Sequence, residues 1–399
     1  MTPARDSRAG LRRELSGAVA DVGVLVPIAV ALIVKNGLSP TAVLLPAGLL
    51  YVAVAYIYRL PVGVQPLKAL GAIAIAQGLG ADEIAAAALI MGAIFVPLGA
   101  TGLIDRAGVA FPRALIRGVQ LTVGLLFLKV AWGLVAHPPA SFAEHALSAE
   151  WAILLGVAVL VLAFVLRRRP IALVLVSVGV AVMLVESDLP SLGPSPLELP
   201  SLSGATFAAA LTALVVPQLP LTFANSCLAP ADAARTYFGQ RARKVTPGHL
   251  ATTLGSANLI SGAIAGMPVC HGAGGLTAHY VFGARGALAP LAMGSALIAV
   301  ALLAGSGLAA LLTAFPLPIL AGLLATAGLL HIGLLRDLRK GREWVIAGVV
   351  GLVGFELNLA VGLAAGLVLW WTPVLVLRVG SSPWKWRSSL RSRSEKPRR

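Results

Sequence analysis

The sequence predicts an all-α polytopic membrane protein of fourteen transmembrane spans, arranged as two seven-span halves of opposite orientation. Three observations predict it. Of 399 residues, 58% are hydrophobic and only 12% charged, with mean hydropathy +0.89, whereas soluble domains carry about 25% charged residues. Apolar stretches follow one another along the chain with short polar breaks, and a bilayer-crossing helix needs roughly 20 such residues. Part of the first half also recurs in the second at a fixed offset. Fourteen spans consume about 280 residues, which leaves no room for a large soluble domain.

Taken in order, residues 1–13 are a polar, basic tail with Arg5, Arg8, Arg12 and Arg13. It runs into a full-length span and does not read as a cleaved signal peptide. Span 1 (14–34) stops before Asn36-Gly37, span 2 covers 40–58 and a broken segment at 60–78 forms span 3. Span 4 (83–103) ends at the Asp105-Arg106 link, and span 5 runs from Phe111-Pro112 to 135. A polar loop at 137–150 leads to span 6 (151–166), the cluster Arg167-Arg168-Arg169 and span 7 (171–186). Residues 187–204 read as a linker. Spans 8 (205–228), 9 (248–264), 10 (265–283, broken), 11 (286–305), 12 (307–335), 13 (343–356) and 14 (358–377) follow, and 379–399 is a second basic tail. Cys227 and Cys270 both fall in apolar segments, so neither a disulfide framework nor a zinc-type spacing is present.

Charge orients the spans. With the N-terminus in the cytoplasm, the basic clusters at 5–13, 167–169, 235–244, 336–342 and the C-terminal tail all fall inside. The opposite loops hold Asp82, Glu83, Glu144, Glu150, Asp188 and Glu198, with Lys35 as their single cation. This is the positive-inside pattern, and an odd error in the span count would destroy it. The net charge of +15 is therefore read as membrane topology and lipid-headgroup contact, not as nucleic-acid binding.

Residues 111–126 and 315–330 are identical at seven of sixteen positions, including Phe-Pro, Gly118/Gly322, Thr122/Thr326 and Gly124/Gly328. The same offset aligns Glu14 with Gln218, Asp21 with Asn225 and Gly71 with Gly275, and overlays the broken segments LPVGVQPLKALGAIAIAQG (60–78) and AGMPVCHGAGGLTAHYVFG (265–283). Seven spans per half is odd, so the second half must cross in the opposite sense. Paired Gly/Pro interruptions at corresponding positions point to the substrate site of a carrier, because irregular backbone at membrane depth must be buried in protein or line a cavity.

Three motifs carry a resemblance. ELSGAVADVGVLVP (14–27), GVQPLKA (63–69) and PQLPLTFANS (217–226) combined with GMPVCHGAGGLTAHYVFGARG (266–286) resemble the molybdate transporter family, a branch of the sulfate permease superfamily. The likeness covers about 14–378. It implies the uracil-permease type of fold, with spans 1–4 and 8–11 as a core domain and spans 5–7 and 12–14 as a gate domain. The first inverted repeat is then 14–186 and the second 205–378, with spans 3 and 10 each an extended strand followed by a half-helix. It implies a secondary active transporter in the plasma (inner) membrane, importing molybdate, or tungstate or sulfate, with no cofactor. The resemblance leaves a homodimer open. The regulatory STAS domain of sulfate permeases has no counterpart in the residues after Arg378, which favours the molybdate branch.

For a tetrahedral dianion, two helix N-termini aimed at one point supply amide donors and partial positive charge. The candidate site residues are Gln65, Pro66, Leu67 and Lys68 in the first broken segment, and Cys270, His271, Gly272, Ala273 and Gly274 in the second. Gln218, Thr222 and Asn225 of span 8 join them. His271 is read as an oxyanion donor or a helix cap, and Gln65 and Asn225 as donors or interhelical hydrogen-bonders. Lys68 either neutralises the anion or, as the favoured reading, pairs with Asp21 or Glu14, since a cation in a membrane segment is costly unpaired. Asp21, Glu14 and Glu356 are the intramembrane acids. A dianion imported against an inside-negative potential needs a driving ion, and these acids, Asp21 first, either take up its protons or serve as helix caps or structural ion pairs. No metal site is expected. Alternatives are a sulfate or nucleobase carrier of the same fold and a passive anion channel. No HExxH, serine-histidine or paired-carboxylate constellation points to a membrane-embedded enzyme. We predict that a cysteine at Ser195 is labelled from outside intact cells while one at Ser394 is protected; the reverse pattern would overturn the orientation.

Overall fold

The computed structural model describes residues 11–380 except 12, 16, 19, 20, 105–111, 139–141, 143, 144, 167–170 and 187–190. Arg5, Arg8, Arg12, Asp105, Arg106, Phe111, Glu144, the 167–169 arginines, Asp188 and the 381–399 tail lie outside the described residues.

Local chemistry sets the element ends. Helix α1 (Val22–Asn36) stops at Gly37, whose φ of 72° is left-handed. Helix α2 (Pro40–Ile57) starts at once, with the Ser39 side chain capping the Ala42 amide and Pro40 in the first turn. The two-residue strand β1 (Gln65–Pro66) leads into α3 (Lys68–Gln77), followed by α4 (Ala81–Ala100), with Asp82 and Glu83 in its first turn. Helices α5 (Arg113–Ala136), α6 (Ala149–Val165) and α7 (Ile171–Glu186) complete the first half. The second half runs α8 (Gly204–Lys244), α9 (Pro247–Ala263), strand β2 (Val269–Cys270), α10 (Ala273–Val281) and α11 (Leu288–Leu303). It ends with α12 (Gly305–Thr313), α13 (Leu317–Ile332), α14 (Gly341–Glu356) and α15 (Leu359–Gly380).

Two expected boundaries are corrected. The sequence puts span 8 at 205–228 with a basic loop beyond it, but α8 is helical for 41 residues, through Arg235, Arg241, Arg243 and Lys244. Its prolines, Pro217, Pro220 and Pro230, sit beside π-helical turns at Leu211–Val215 and Thr222–Leu228. There the regular i−4 bonding is already interrupted, so a missing N–H costs little. The sequence pattern predicts span 12 as one helix over 307–335. Instead α12 bends by 90° from α11, and the chain breaks again at Phe315-Pro316, because a residue preceding proline is pushed out of the helical region.

Among the described residues, α2, α4, α5, α8 and Leu317–Asp337 are long and apolar enough to cross a bilayer, five in all, or six if bent α11–α12 counts as one span. Helix α6 buries only Ala152, Gly156 and Ala163, while Trp151, Leu154, Val157 and Val161 are more than half exposed. An apolar helix face bare on this scale suits lipid, not water.

The packing repeats the internal symmetry. Shifting by 204 residues takes α2 onto α9 and α4 onto α11; α4 packs on α9, and α2 correspondingly on α11. Helices α5 and α13 are equivalent and pack on each other, with Gly124 against Gly328. A Cβ on Gly124 would sit 2.8 Å from the Gly328 carbonyl, and one on Gly328 would sit 2.7 Å from the Gly124 carbonyl. Small residues allow such helix contact in lipid, where burial provides no separate drive.

The 187–204 stretch is more than a linker in its described part. Gly193 exchanges backbone hydrogen bonds with Leu303 and Ser306, and the Ser195 hydroxyl bonds Ser39 and the Thr41 amide. Ser195 is 7% exposed, so the labelling experiment belongs at Leu199, which is 84% exposed. The glycine contact generates a stability prediction. Gly328→Ala should lower stability in a detergent melt by about 1–3 kcal/mol through overpacking. Gly133→Ala, whose Cβ meets nothing within 4 Å, should gain a few tenths through helix propensity, at most about 1 kcal/mol. Equal effects would show that the α5–α13 contact is not tight.

Candidate functional site

The two broken segments meet. Strands β1 and β2 pair antiparallel with Gln65 opposite Cys270 and Pro66 opposite Val269, a register that maps onto itself under the 204-residue shift. The Leu67 amide donates to the Pro268 carbonyl at 3.0 Å. Asn258 of α9 clamps Val269, its amide donating to the carbonyl and its oxygen accepting from the N–H, both at 2.8 Å. Each segment is entered through a non-glycine residue at positive φ, Arg59 at 55° and Ala265 at 49°. Such strained residues persist where surrounding structure holds them and cluster at functional sites.

Helices α3 and α10 start at the ends of these strands, so their N-termini come together. The first amides of each, Lys68 and Ala69 on one side and Ala273, Gly274 and Gly275 on the other, have no acceptor within their own helix. The Leu70 amide is taken by Gln218 Oε1 at 3.0 Å, and Gln218 Nε2 donates to Thr222 Oγ1 at 2.9 Å. A Cβ on Gly272 would strike Gln65 Oε1 and come within 3.3 Å of Lys68 Nζ, so the ammonium lies against the N-cap of α10. Gly274 is exposed, and a Cβ there would meet nothing within 4 Å. The second helix end therefore opens onto free space. The geometry offers oriented N–H groups and helix dipoles beside one cation, a combination suited to an anion.

Beneath this junction lies a buried polar cluster. The Asp21 carboxylate, 1% exposed, accepts from the Tyr51 hydroxyl at 2.6 Å and from Gln65 Nε2 at 2.5 Å, and lies 3.1 Å from His279 Nε2. His279 Nδ1 faces the Gly17 carbonyl at 2.6 Å. Lys68 Nζ donates to Gln65 Oε1 at 2.6 Å, which fixes the orientation of the Gln65 amide.

Several expected roles are corrected by these partners. Lys68 bonds neither Asp21 nor Glu14 but reaches Asp21 through Gln65, which leaves two of its N–H groups without acceptors among the described residues. His271, read as an oxyanion donor or a helix cap, has both ring nitrogens engaged, Nε2 with Thr253 Oγ1 at 2.8 Å and Nδ1 with the Gly63 carbonyl at 3.2 Å. It ties β2 to α9 and to the approach to β1. Gln65 likewise spends its whole amide inside the cluster, so it is not a free donor. Gln218 and Thr222 bond each other and hold α3. Cys270 Sγ contacts the Pro66 carbonyl at 3.5 Å, and Pro66 and Leu67 are buried as backbone of the crossing. Asn225, half-buried in the second π turn, has no hydrogen-bond partner among the described residues. Glu14 accepts from the Arg285 amide, and Glu356 is exposed at the end of α14; neither bonds Asp21.

Four residues escaped the sequence reading: Tyr51, His279, Thr253 and Asn258. Asn258 and His279 were detectable as isolated polar groups within apolar segments. Tyr51 was not, because a tyrosine is a largely apolar ring whose single hydroxyl does not mark it as a polar group in an apolar segment.

The family profile described as "Molybdate transporter of MFS superfamily" matches residues 13–127 and 210–330. The chain belongs to the molybdate transporter family. The matched stretches contain both strands and both helix N-termini described above, one from each half. Molybdate transporter 2 of Arabidopsis thaliana is 28% identical over 90% of this chain and 87% of that protein. Molybdate transporter 1 of Chlamydomonas reinhardtii is 27% identical over 89% of this chain and 90% of its own length. In fold, the chain is similar to the transmembrane domain of a cyanobacterial bicarbonate transporter, BicA (TM-score 0.63, 19% identity, 90% of this chain and 97% of that one). It is similar too to the murine Solute Carrier 26 family member A9 anion transporter (TM-score 0.63, 16% identity, 92% and 68%). It is thus a membrane protein of an anion-transporter family, not an enzyme.

The hydrogen-bond partners separate structural from free side chains. His271→Ala should destabilise the ligand-free protein by about 1–3 kcal/mol, since it unpairs buried polar groups, whereas Asn225→Ala should stay within about 0.5 kcal/mol. Ligand-free thermal melts check this; an Asn225→Ala loss as large as that of His271→Ala would contradict the assignment.

Proposed function

We propose that this protein imports molybdate by alternating access, holding the dianion between the N-termini of α3 and α10. The observation that carries the reading is the meeting of two sets of helix amides that take no acceptor among the described residues, beside Lys68 and open to space at Gly274. The amides of Lys68, Ala69, Ala273, Gly274 and Gly275 and the two spare Lys68 N–H groups are the donors, with the Asn225 amide completing the shell. Amides and dipoles hold most of the charge, so the dianion is not locked to a cluster of cations and can leave.

The family membership and the pairing of repeat-equivalent elements support the larger architecture we propose. It has fourteen spans in two inverted repeats, 14–186 and 205–378, with β1–α3 and β2–α10 as half-spans. Spans 1–4 and 8–11 carry the site and move against spans 5–7 and 12–14. Both termini face the cytoplasm of a plasma membrane. A dianion entering against an inside-negative potential needs a driving ion, and protons at the Asp21 cluster fill that role. Sulfate has the same charge and shape, so the natural competitor experiment is sulfate displacement of bound molybdate.

Gly274→Val tests the site. The new side chain points into free space, so the protein should fold, yet it covers the amides, and molybdate affinity should fall at least tenfold, about 1.4 kcal/mol. Gly348→Val, whose Cβ also meets nothing within 4 Å, controls for the added side chain. Wild-type affinity in folded Gly274→Val protein would place the anion elsewhere.

A further inference from the structure

We infer that the transport proton resides on His279, in a buried pair with Asp21, and that the anion site accepts its dianion only while that proton is present. The inference rests on the transport reading above and adds a residue to which that reading gives no role.

Donor counting carries it. His279 Nδ1 lies 2.6 Å from the Gly17 carbonyl, which can only accept. Its other nitrogen, Nε2, faces Asp21 Oδ2 at 3.1 Å. The carboxylate is meanwhile met by two further donors. Tyr51 presents its hydroxyl to Oδ2. Gln65 presents its NH₂ to Oδ1, because its oxygen is occupied by Lys68, an ammonium that can only donate. A carboxylate ringed by donors is ionised. His279 must then donate from both nitrogens, which makes it an imidazolium. The pair is closed from water, with His279 fully buried and Asp21 1% exposed. The other ionisable groups facing it are Tyr51 on α2, Cys270 on β2, Lys68 on α3 through Gln65, and Glu14 on the preceding segment.

The pair is placed to control the anion site. A Cβ on Gly275, in the first turn of α10, would strike the Asp21 carboxylate, and one on Gly63 would lie 2.7 Å from Oδ2. With the proton on His279, the pair is neutral and sets no net charge against the α10 amides that face the dianion. Without it, an uncompensated buried carboxylate stands against the same turn and repels the anion. Proton and dianion therefore favour each other's binding, and by reciprocity the dianion draws a proton onto His279.

Molybdate binding to purified wild-type protein, measured by calorimetry at several pH values in buffers of different ionisation enthalpy, counts the protons taken up. On the alkaline side of the pair's titration, about one proton should enter per molybdate, and Kd should rise by up to tenfold per pH unit. His279→Gln keeps the carboxylate but cannot hold the proton, so affinity should fall at least tenfold and lose its pH dependence. Asp21→Asn removes the repelling charge, so affinity should also lose its pH dependence while falling less than in His279→Gln. Should the variants not fold, ¹⁵N-histidine spectra of molybdate-bound wild type at pH 7.5 decide the point. One of the six histidines should be an imidazolium, and six neutral rings would overturn the inference. Binding without proton uptake from pH 6 to 9, or uptake that persists in both variants, would overturn it too and leave the molybdate site standing. No molybdate binding at any pH would instead refute the transport reading itself.

Discussion

Two residues of antiparallel strand on each side, Gln65–Pro66 against Val269–Cys270, are the constraint on which the rest depends. A helix that starts in the middle of a protein exposes amides that need acceptors, and two such helices starting side by side double the requirement. The crossing meets it in part. Across the pairing the Leu67 amide is taken by the Pro268 carbonyl, Asn258 clamps Val269, and Gln218 takes Leu70. What remains uncommitted is the pair of first turns, where an anion would complete the bonding. In the proposed reading, the irregular backbone is both the cost of the site and its means of recognition.

Around that junction the charges are arranged so that none is free to dominate. Lys68 is tethered to Gln65, and Gln65 to Asp21. Asp21 faces His279, so a cation at one helix start is linked through a single side chain, Gln65, to a carboxylate under the other. The glycines fit the same logic. Gly272 admits Gln65 and Lys68, Gly275 and Gly63 admit Asp21, and Gly274 keeps the opening clear. Side chains at the first three would force the cluster apart, and one at the fourth would close the site.

Much of the fold was legible because membrane sequence obeys few rules. Long apolar segments, Gly/Pro breaks and a repeat offset marked by Gly124 and Gly328 were enough to place the elements and to overlay the two broken segments. Two boundaries failed for a physical reason: proline ends a helix at Phe315-Pro316 but not at Pro230, where π turns have already relaxed the bonding. The candidate site was legible as backbone and less so as side chains. Lys68, His271 and Gln65 were recognised as polar groups in an apolar setting, but which partners they take is set by three-dimensional neighbours. His271 turned out to be saturated by Thr253 and Gly63, while His279, eight residues further on, faces Asp21 from more than 250 residues away in sequence.

Molybdenum itself provides the most direct test of the central claim, since its anomalous X-ray scattering marks the anion without any variant. In crystals of the protein grown with molybdate, a single molybdenum peak should lie between the first turns of α3 and α10, within hydrogen-bonding reach of the Ala69 and Gly274 amides. A peak elsewhere in the protein, with these two turns empty, would contradict the account.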